Sequence, residues 1–263
     1  MISIVTPTLN PGVVLEGNLR SLALQKADFE HIVQDGGSRD GTAERVSRYT
    51  AQYPVQFHQD NDSGIYDGVV RGMVNARGDI LAWLGADDFY LPWTLSTVHQ
   101  VFARHPEVDW IIGIPTSGYN QNQVVKVSAL APVYLRSLIH RGWHCSGYLG
   151  NLQQESMFWR RSLWEKSNAP SILGGYKLAG DYHLWKEFAR HAPLWTVSSV
   201  LAVFSISANQ SSRRHLSKYN EEIGPFARGL KAARWGKALR GIVSVLGNHR
   251  VLRPEAGLTE GSS

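Results

Sequence analysis

Five short runs rich in β-branched and aromatic residues recur along the first half of the chain: ISIVTP (2–7), FEHIVQ (29–34), VQFHQ (55–59), ILAWL (80–84) and VDWIIGI (108–114). Amphipathic stretches separate them. Helices are predicted over 14–25, from about Thr42 to Tyr53, from about Ile65 to Ala76 and from about Trp93 to His105. Strands that alternate with helices in this way belong to a parallel sheet flanked by helices. From Gly118 to about Pro170 the rhythm weakens, and an irregular or antiparallel region built onto the sheet is expected. A helix then returns at AGDYHLWKEFARH (179–191), where Leu184, Trp185 and Phe188 repeat at helical spacing, and the strand-like runs LWTVSS and LAVFSIS follow.

Ligand sites in open α/β sheets lie beyond the carboxyl ends of the strands. Asp35, Asp62 and the adjacent pair Asp87 and Asp88 all fall on that edge. A single acid there is ordinary turn or capping chemistry. Several along one rim form a candidate binding site. Adjacent carboxylates past a buried strand can give oxygen ligands to a hard cation and leave positions open for water or phosphate. The segment from Asp62 through GIYDGVVRG opens a helix whose unpaired N–H groups suit anionic phosphate. Arg71 stands four residues after Asp67, which fits either an intrahelical ion pair or a phosphate contact, and Asp40 fits a cap for the helix starting at Gly41.

With 43% hydrophobic and 19% charged residues the chain can bury a full core. A net charge of +5 favours anionic partners. The single cysteine, Cys145, excludes an internal disulfide framework and suits a reducing compartment. The opening MISIVTPTLN lacks the features of a signal peptide, and no window reaches the roughly 18 apolar residues of a membrane span. The expected location is therefore cytoplasmic. Residues 213–250 carry Lys231, Arg234, Lys237 and Arg240 at three-residue steps among apolar residues, a basic amphipathic segment suited either to a membrane surface or to packing on its own domain. A disordered tail is expected over 251–263. His140, His144 and His183 show no metal-ligand spacing. The GxSxG elbow, the Walker A loop and a GxGxxG after the first strand are all missing.

The blocks VQDGGSRDGT (33–42), DSGIYDGVVRG (62–72) and GDILAWLGADD (78–88), taken with the opening strand SIVTPTLN, closely resemble the nucleotide-sugar-binding half of the family 2 glycosyltransferases. The resemblance continues through QQESMFWRRSLWEK and LAGDYHLWKEFAR and covers roughly residues 1–212. It implies the GT-A fold: a Rossmann-like, mostly parallel sheet flanked by helices, with a nucleotide-sugar-binding half (1–114), an acceptor-binding and catalytic-base half (115–212) and C-terminal helices. It also implies an inverting transfer of sugar from a nucleoside diphosphate, with UDP the expected carrier, to the hydroxyl of a carbohydrate or lipid-linked saccharide during cell-surface or secreted polysaccharide synthesis. The cofactor would be Mn²⁺ or Mg²⁺, and the cytosolic membrane face would be the working surface.

Residue by residue, the resemblance places Asp35 against the nucleotide base, with Thr6, Pro7, Asp62 and, less directly, Arg71 on the same nucleotide. Asp87 would sit by the ribose and the metal, and Asp88 would bind the metal directly. Asp181 would be the catalytic base. Gln153, Gln154, Glu155 and Trp185 would line the acceptor side, although the polar triplet also fits a solvent-facing turn and Trp185 also fits the core. Ordinary turn and helix-start chemistry remains the alternative for Asp35 and Asp181.

Two departures from the family pattern stand out. Gly85-Ala86 precedes the paired acids where many relatives carry Asn or Ser, and Ser205 and Ser207 stand where relatives often carry Arg and His. Arg213, Arg214 and His215 are the nearest basic substitutes. The competing readings are a nucleotidyltransferase, disfavoured by the few basic residues in TPTLNPG, and a non-catalytic nucleotide-sugar- or carbohydrate-binding protein of the same fold. A nucleic-acid partner is disfavoured because the acids on the rim repel phosphate.

Overall fold

The computed structural model describes residues 1–119, 123–128, 131–145, 148–206, 216–224 and 251–252. The first half runs β1 (Ile2–Thr8), α1 (Leu15–Ala23), β2 (Phe29–Asp35), α2 (Thr42–Ser47), β3 (Val55–Gln59), α3 (Ile65–Asn75), β4 (Ile80–Trp83), β5 (Phe89–Tyr90), α4 (Thr94–Arg104) and β6 (Trp110–Ile112). The second half contributes β7 (Thr116–Tyr119), β8 (Gln123–Val127), α5 (Arg136–His140), β9 (Met157–Arg160), α6 (Arg161–Lys166), α7 (Ala169–Gly174), α8 (Gly180–His191), β10 (Trp195–Val197), β11 (Ala202–Ser205), α9 (Leu216–Ile223) and β12 (Val251–Leu252).

The expected strands and helices of the first half are present, with one shortening. The helix predicted to reach Tyr53 ends at Ser47, where the hydroxyls of Ser47 and Thr50 each donate to the carbonyl three residues back and compete with helical pairing.

An eight-stranded sheet has the order β12-β10-β6-β9-β4-β1-β2-β3, with every pairing parallel except those of β9. β9 enters antiparallel between β4 and β6. The region expected as an antiparallel addition to the sheet therefore divides: β8 pairs antiparallel with β7 outside this sheet, whereas β9 lies inside it. MFWR has no alternation because both of its faces are covered, and Met157, Phe158 and Trp159 are all fully buried. Val251 and Leu252, expected to open the disordered tail, instead pair with Thr196 and Val197 at the sheet edge. A second sheet, β5-β11-β7-β8, carries β5 from the first half beside strands of the second.

Residues of β1 alternate between two cores. Ile2 and Ile4 join Leu15, Leu19 and Leu22 of α1 on one face, whereas Val5 joins Val69 and Met73 of α3 on the other. A Cβ at Gly72 would lie 2.4 Å from Val5 Cγ1, so glycine is what lets α3 approach β1 this closely. The second core also holds Trp83, Trp110, Trp159, Trp185 and Phe188 in mutual ring contact. Among the described residues no helix is long and apolar enough to cross a membrane. Most of the basic segment 213–250, with Arg213, Arg214 and His215, lies outside the described residues, as does Ser207.

Candidate active site

β4 is buried along its length, and the chain turns sharply at Gly85 as it leaves the sheet. Asn18 of α1 donates to the Gly85 carbonyl at 2.9 Å and pins that turn. A Cβ at Gly85 would sit 2.7 Å from Asp88 Oδ2 and 3.2 Å from Asp87 Oδ1, so one oxygen of each acid closes over the same point. The departure from Asn or Ser at this position thus has a steric basis in this chain. The other Asp88 oxygen, Oδ1, accepts from the backbone N–H of Ser205 at 2.8 Å. Ser205, at the second departure from the family pattern, therefore holds Asp88 through its peptide.

Glu155 comes to the same place from a short 3-10 turn (Gln154–Ser156). Its side chain is only 2% exposed, and Oε1 has no hydrogen-bond partner among the described residues. Gln153 and Gln154, both half-buried, use their amides to fix this turn. The Gln153 amide bonds the backbone N–H and carbonyl of Thr116, and Gln154 donates to the carbonyl of Trp83. The alternative of a solvent-facing turn fails for Glu155.

Burial, followed by the negative charges of Asp87 and Asp181, pushes the Glu155 carboxyl up to about 8. Asp88 is raised well above the ordinary carboxylate range by burial, then by Glu155 and Asp87, and burial raises Asp87 as well. Among the described residues none of these three acids has an ion-pair partner. Crowded, uncompensated carboxylates with an orphaned oxygen suit a hard cation. No group of three or more His, Cys, Asp or Glu among the described residues is arranged to hold a metal by itself. Protein carboxylates completed by phosphate oxygens match the coordination habit of Mg²⁺.

Asp181 lies in the first turn of α8, half-buried, with its carboxyl raised mainly by desolvation. The Tyr66 hydroxyl, from α3, reaches both Asp181 Oδ1 at 3.0 Å and the Leu178 carbonyl at 2.8 Å. The sequence offers no signal for this contact across 115 residues. Trp185, one turn further on, is 2% exposed and stacks on Trp83 at 5.5 Å, so it belongs to the core rather than to an acceptor platform.

At the end of β2, Asp35 is fully buried, and its carboxylate accepts from the N–H groups of Gly37 and Ser38, the Ser38 hydroxyl and the Gln59 amide. It organises the GGS loop. Asp62 packs over Gly36, where a Cβ would meet its Oδ2 at 2.8 Å, and burial raises its carboxyl. Thr6 is buried with its hydroxyl on His31 Nε2, and Pro7 packs close to Gly68. Arg71 pairs with Asp67 at 3.0 Å, the intrahelical alternative. Asp40 accepts from the Thr42 hydroxyl and the Gly12 N–H, tying the loop after β1 to the start of α2.

The sequence model described as Glycosyl transferase family 2 matches residues 3–165, more than half of the chain. The chain belongs to glycosyl transferase family 2. A PGL/p-HBAD biosynthesis glycosyltransferase of Mycobacterium bovis is 38% identical over 117 residues, covering 43% of this chain and 46% of the relative. An uncharacterized glycosyltransferase of Rickettsia conorii is 26% identical over 240 residues, 84% of this chain and 36% of that one. The chain thus spans less than half the length of these family 2 relatives. Among solved structures, S. aureus TarS 1–349 in complex with UDP-GlcNAc superposes with a TM-score of 0.64 at 17% identity, over 95% of this chain and 72% of that one. The mannosyltransferase PcManGT from Pyrobaculum calidifontis, in complex with GDP-Man and Mn²⁺, gives 0.58 at 18% identity, over 94% and 68%. The fold of this family 2 member is that of the GT-A glycosyltransferases.

Proposed function

We propose that the protein transfers a glycosyl group, with inversion, from a nucleoside diphosphate sugar to an acceptor hydroxyl. The observation that carries this reading is the convergence of Asp87, Asp88, Glu155 and Asp181 from three separate segments: the charges of Asp87 and Asp181 act on Glu155, and those of Glu155 and Asp87 act on Asp88. Asp181 is the base. Its raised carboxyl takes the proton of the acceptor O–H while that oxygen attacks the anomeric carbon and the bond to the diphosphate breaks. Burial brings its affinity for a proton nearer to what transfer at neutral pH requires.

Asp88 and Asp87 would hold a divalent cation, Mn²⁺ or Mg²⁺, which neutralises charge on a departing diphosphate. Asp88 suits this task because the Ser205 peptide fixes one oxygen while the other faces Asp87. Asp35 and Asp62 border the base-binding side, with Thr6 and Pro7 on the adjoining strand. Solved relatives hold UDP-GlcNAc or GDP-Man, and UDP is the carrier proposed for this chain. For the acceptor we propose a carbohydrate or lipid-linked saccharide of a cell-surface or secreted polysaccharide, met at the cytosolic membrane face with residues 213–250 as the contact.

Calorimetric titration of UDP, GDP and dTDP with Mn²⁺ and after chelation, repeated on Asp88→Ala, tests the donor site. One nucleotide that binds only with metal and only with Asp88 intact supports the reading. Metal-independent binding of equal strength in the variant would remove the cation from it. Sedimentation with anionic liposomes, comparing the full chain with one ending at Ser212, tests the membrane contact.

A further inference from the structure

Residues 177–179 lead directly into α8 and so into Asp181, and the N-cap position, Ala179, has no side-chain cap. Their three backbone N–H groups all go to one carboxylate on α9. Glu222 Oε1 accepts from Lys177 at 3.1 Å, and Oε2 accepts from Leu178 at 2.9 Å and from Ala179 at 2.8 Å. An anion at this end of α8 also meets the positive end of the helix dipole. A second link runs between His183 Nε2 and the Glu222 carbonyl at 2.9 Å.

The seat of α9 is apolar as well, with Ile223 buried among Cys145, Ala179 and Tyr182. From α3, the Tyr66 hydroxyl reaches both the Leu178 carbonyl and Asp181 Oδ1. Its ring lies against Gly180, where a Cβ would come within 2.8 Å of Cε2. The approach to Asp181 is therefore held by two elements, α3 and the helix carrying Glu222. α9 lies outside the family-matched residues 3–165.

We infer that Glu222 is a positioning residue: by fixing the backbone of 177–179 it sets where the Asp181 carboxylate stands, which makes α9 a working part of the active centre. The inference rests on the reading of Asp181 as base. Loss of the carboxylate leaves three backbone N–H groups without their acceptor, which frees this loop without dismantling the sheet. Glutamine keeps one acceptor oxygen in place of two and restores part of the grip.

The test compares wild type, Glu222→Ala and Glu222→Gln by amide hydrogen exchange over 177–183. The same variants are assayed for nucleotide release from UDP-GlcNAc and from GDP-mannose, with water as acceptor, and for UDP affinity. Exchange at Leu178 and Ala179 should rise at least about tenfold in Glu222→Ala and less in Glu222→Gln. The maximal release rate should fall by a similar factor, with UDP affinity unchanged.

Unaltered exchange in Glu222→Ala overturns the inference. So does faster exchange with an undiminished release rate, or an equal loss of UDP affinity. If the wild type releases nothing from either donor, the exchange measurement decides alone. Asp181→Asn separates the two ideas: full activity in that variant would sink the base reading while leaving the grip on the loop to be judged by exchange.

Discussion

Asp88 Oδ1 accepts a hydrogen bond from the backbone N–H of Ser205 at 2.8 Å, joining the turn after β4 to the last residue of β11 across 117 positions of sequence. Because the donor is a peptide N–H, the contact does not depend on the serine side chain, and of the twenty residues only proline lacks the donor. Its effect is to fix one oxygen of an acid whose carboxyl is raised by burial and by two neighbouring carboxylates.

Gly85→Ala should leave the sheet intact and damage this orientation. The added Cβ has Asp88 Oδ2 at 2.7 Å and Asp87 Oδ1 at 3.2 Å, so the carboxylates must move apart. A cost of about 1–3 kcal/mol is expected for such overpacking, seen as Mn²⁺-dependent nucleotide binding at least about tenfold weaker in calorimetry. Unchanged metal-dependent affinity would show that the two oxygens are free to rearrange.

Glu155 ties stability to pH. Its folded carboxyl is raised to about 8 from 4.5, so its contribution is fully present below the unfolded value and is lost as pH rises through 8. Metal-free protein should therefore weaken between pH 4.5 and 8. Glu155→Gln should flatten that slope and stabilise the protein at pH 8 by about 1–3 kcal/mol in urea denaturation, and added Mn²⁺ should mimic the gain in the wild type.

His31 acts in the opposite sense. Burial between Thr6 and Tyr53 pushes its imidazole down to about 3 from 6.5, so the unfolded chain binds a proton that the folded one refuses. Stability from this group is complete above pH 6.5 and falls as pH drops towards 3. Between pH 6.5 and 5 the loss should be about 2 kcal/mol, and His31→Gln should abolish that component of the denaturation curve.

Asp181→Asn should lower the rate of transfer by about 10²–10⁴-fold, the usual worth of a general base, with donor affinity intact. Tyr66→Phe removes a hydrogen bond that holds Asp181 low, so the acidic limb of its pH–rate profile should move to higher pH. A limb that stays in place would separate Tyr66 from the base.

Trp185→Ala should cost about 3–5 kcal/mol of stability, as for any large aromatic removed from a core. Its ring packs on Trp83, Trp110 and Trp159, so Trp185→Phe should be far milder and leave acceptor preference unaltered.

The βαβ rhythm, the acids at the strand ends and the helix that carries Asp181 were legible in the chain because periodicity and turn residues act over a few positions. The Asp67–Arg71 pair was legible for the same reason, being one helical turn long. MFWR is not legible as a strand, since a segment buried on both faces shows no alternation. Burial of Glu155 was hidden behind two glutamines that look like a surface turn but grip the backbone of Thr116 and Trp83.

By itself, then, the sequence determined the βαβ succession of the first half, the helix that carries Asp181 and the rim on which Asp35, Asp62, Asp87 and Asp88 stand. Only the tertiary structure decided which of those acids are crowded, which are held, and by whom. Ser205 reaches Asp88, Tyr66 reaches Asp181 and Glu222 reaches residues 177–179 through sheet order and helix packing. Those contacts depend on how whole elements fill space against one another, a property that no local stretch of residues encodes.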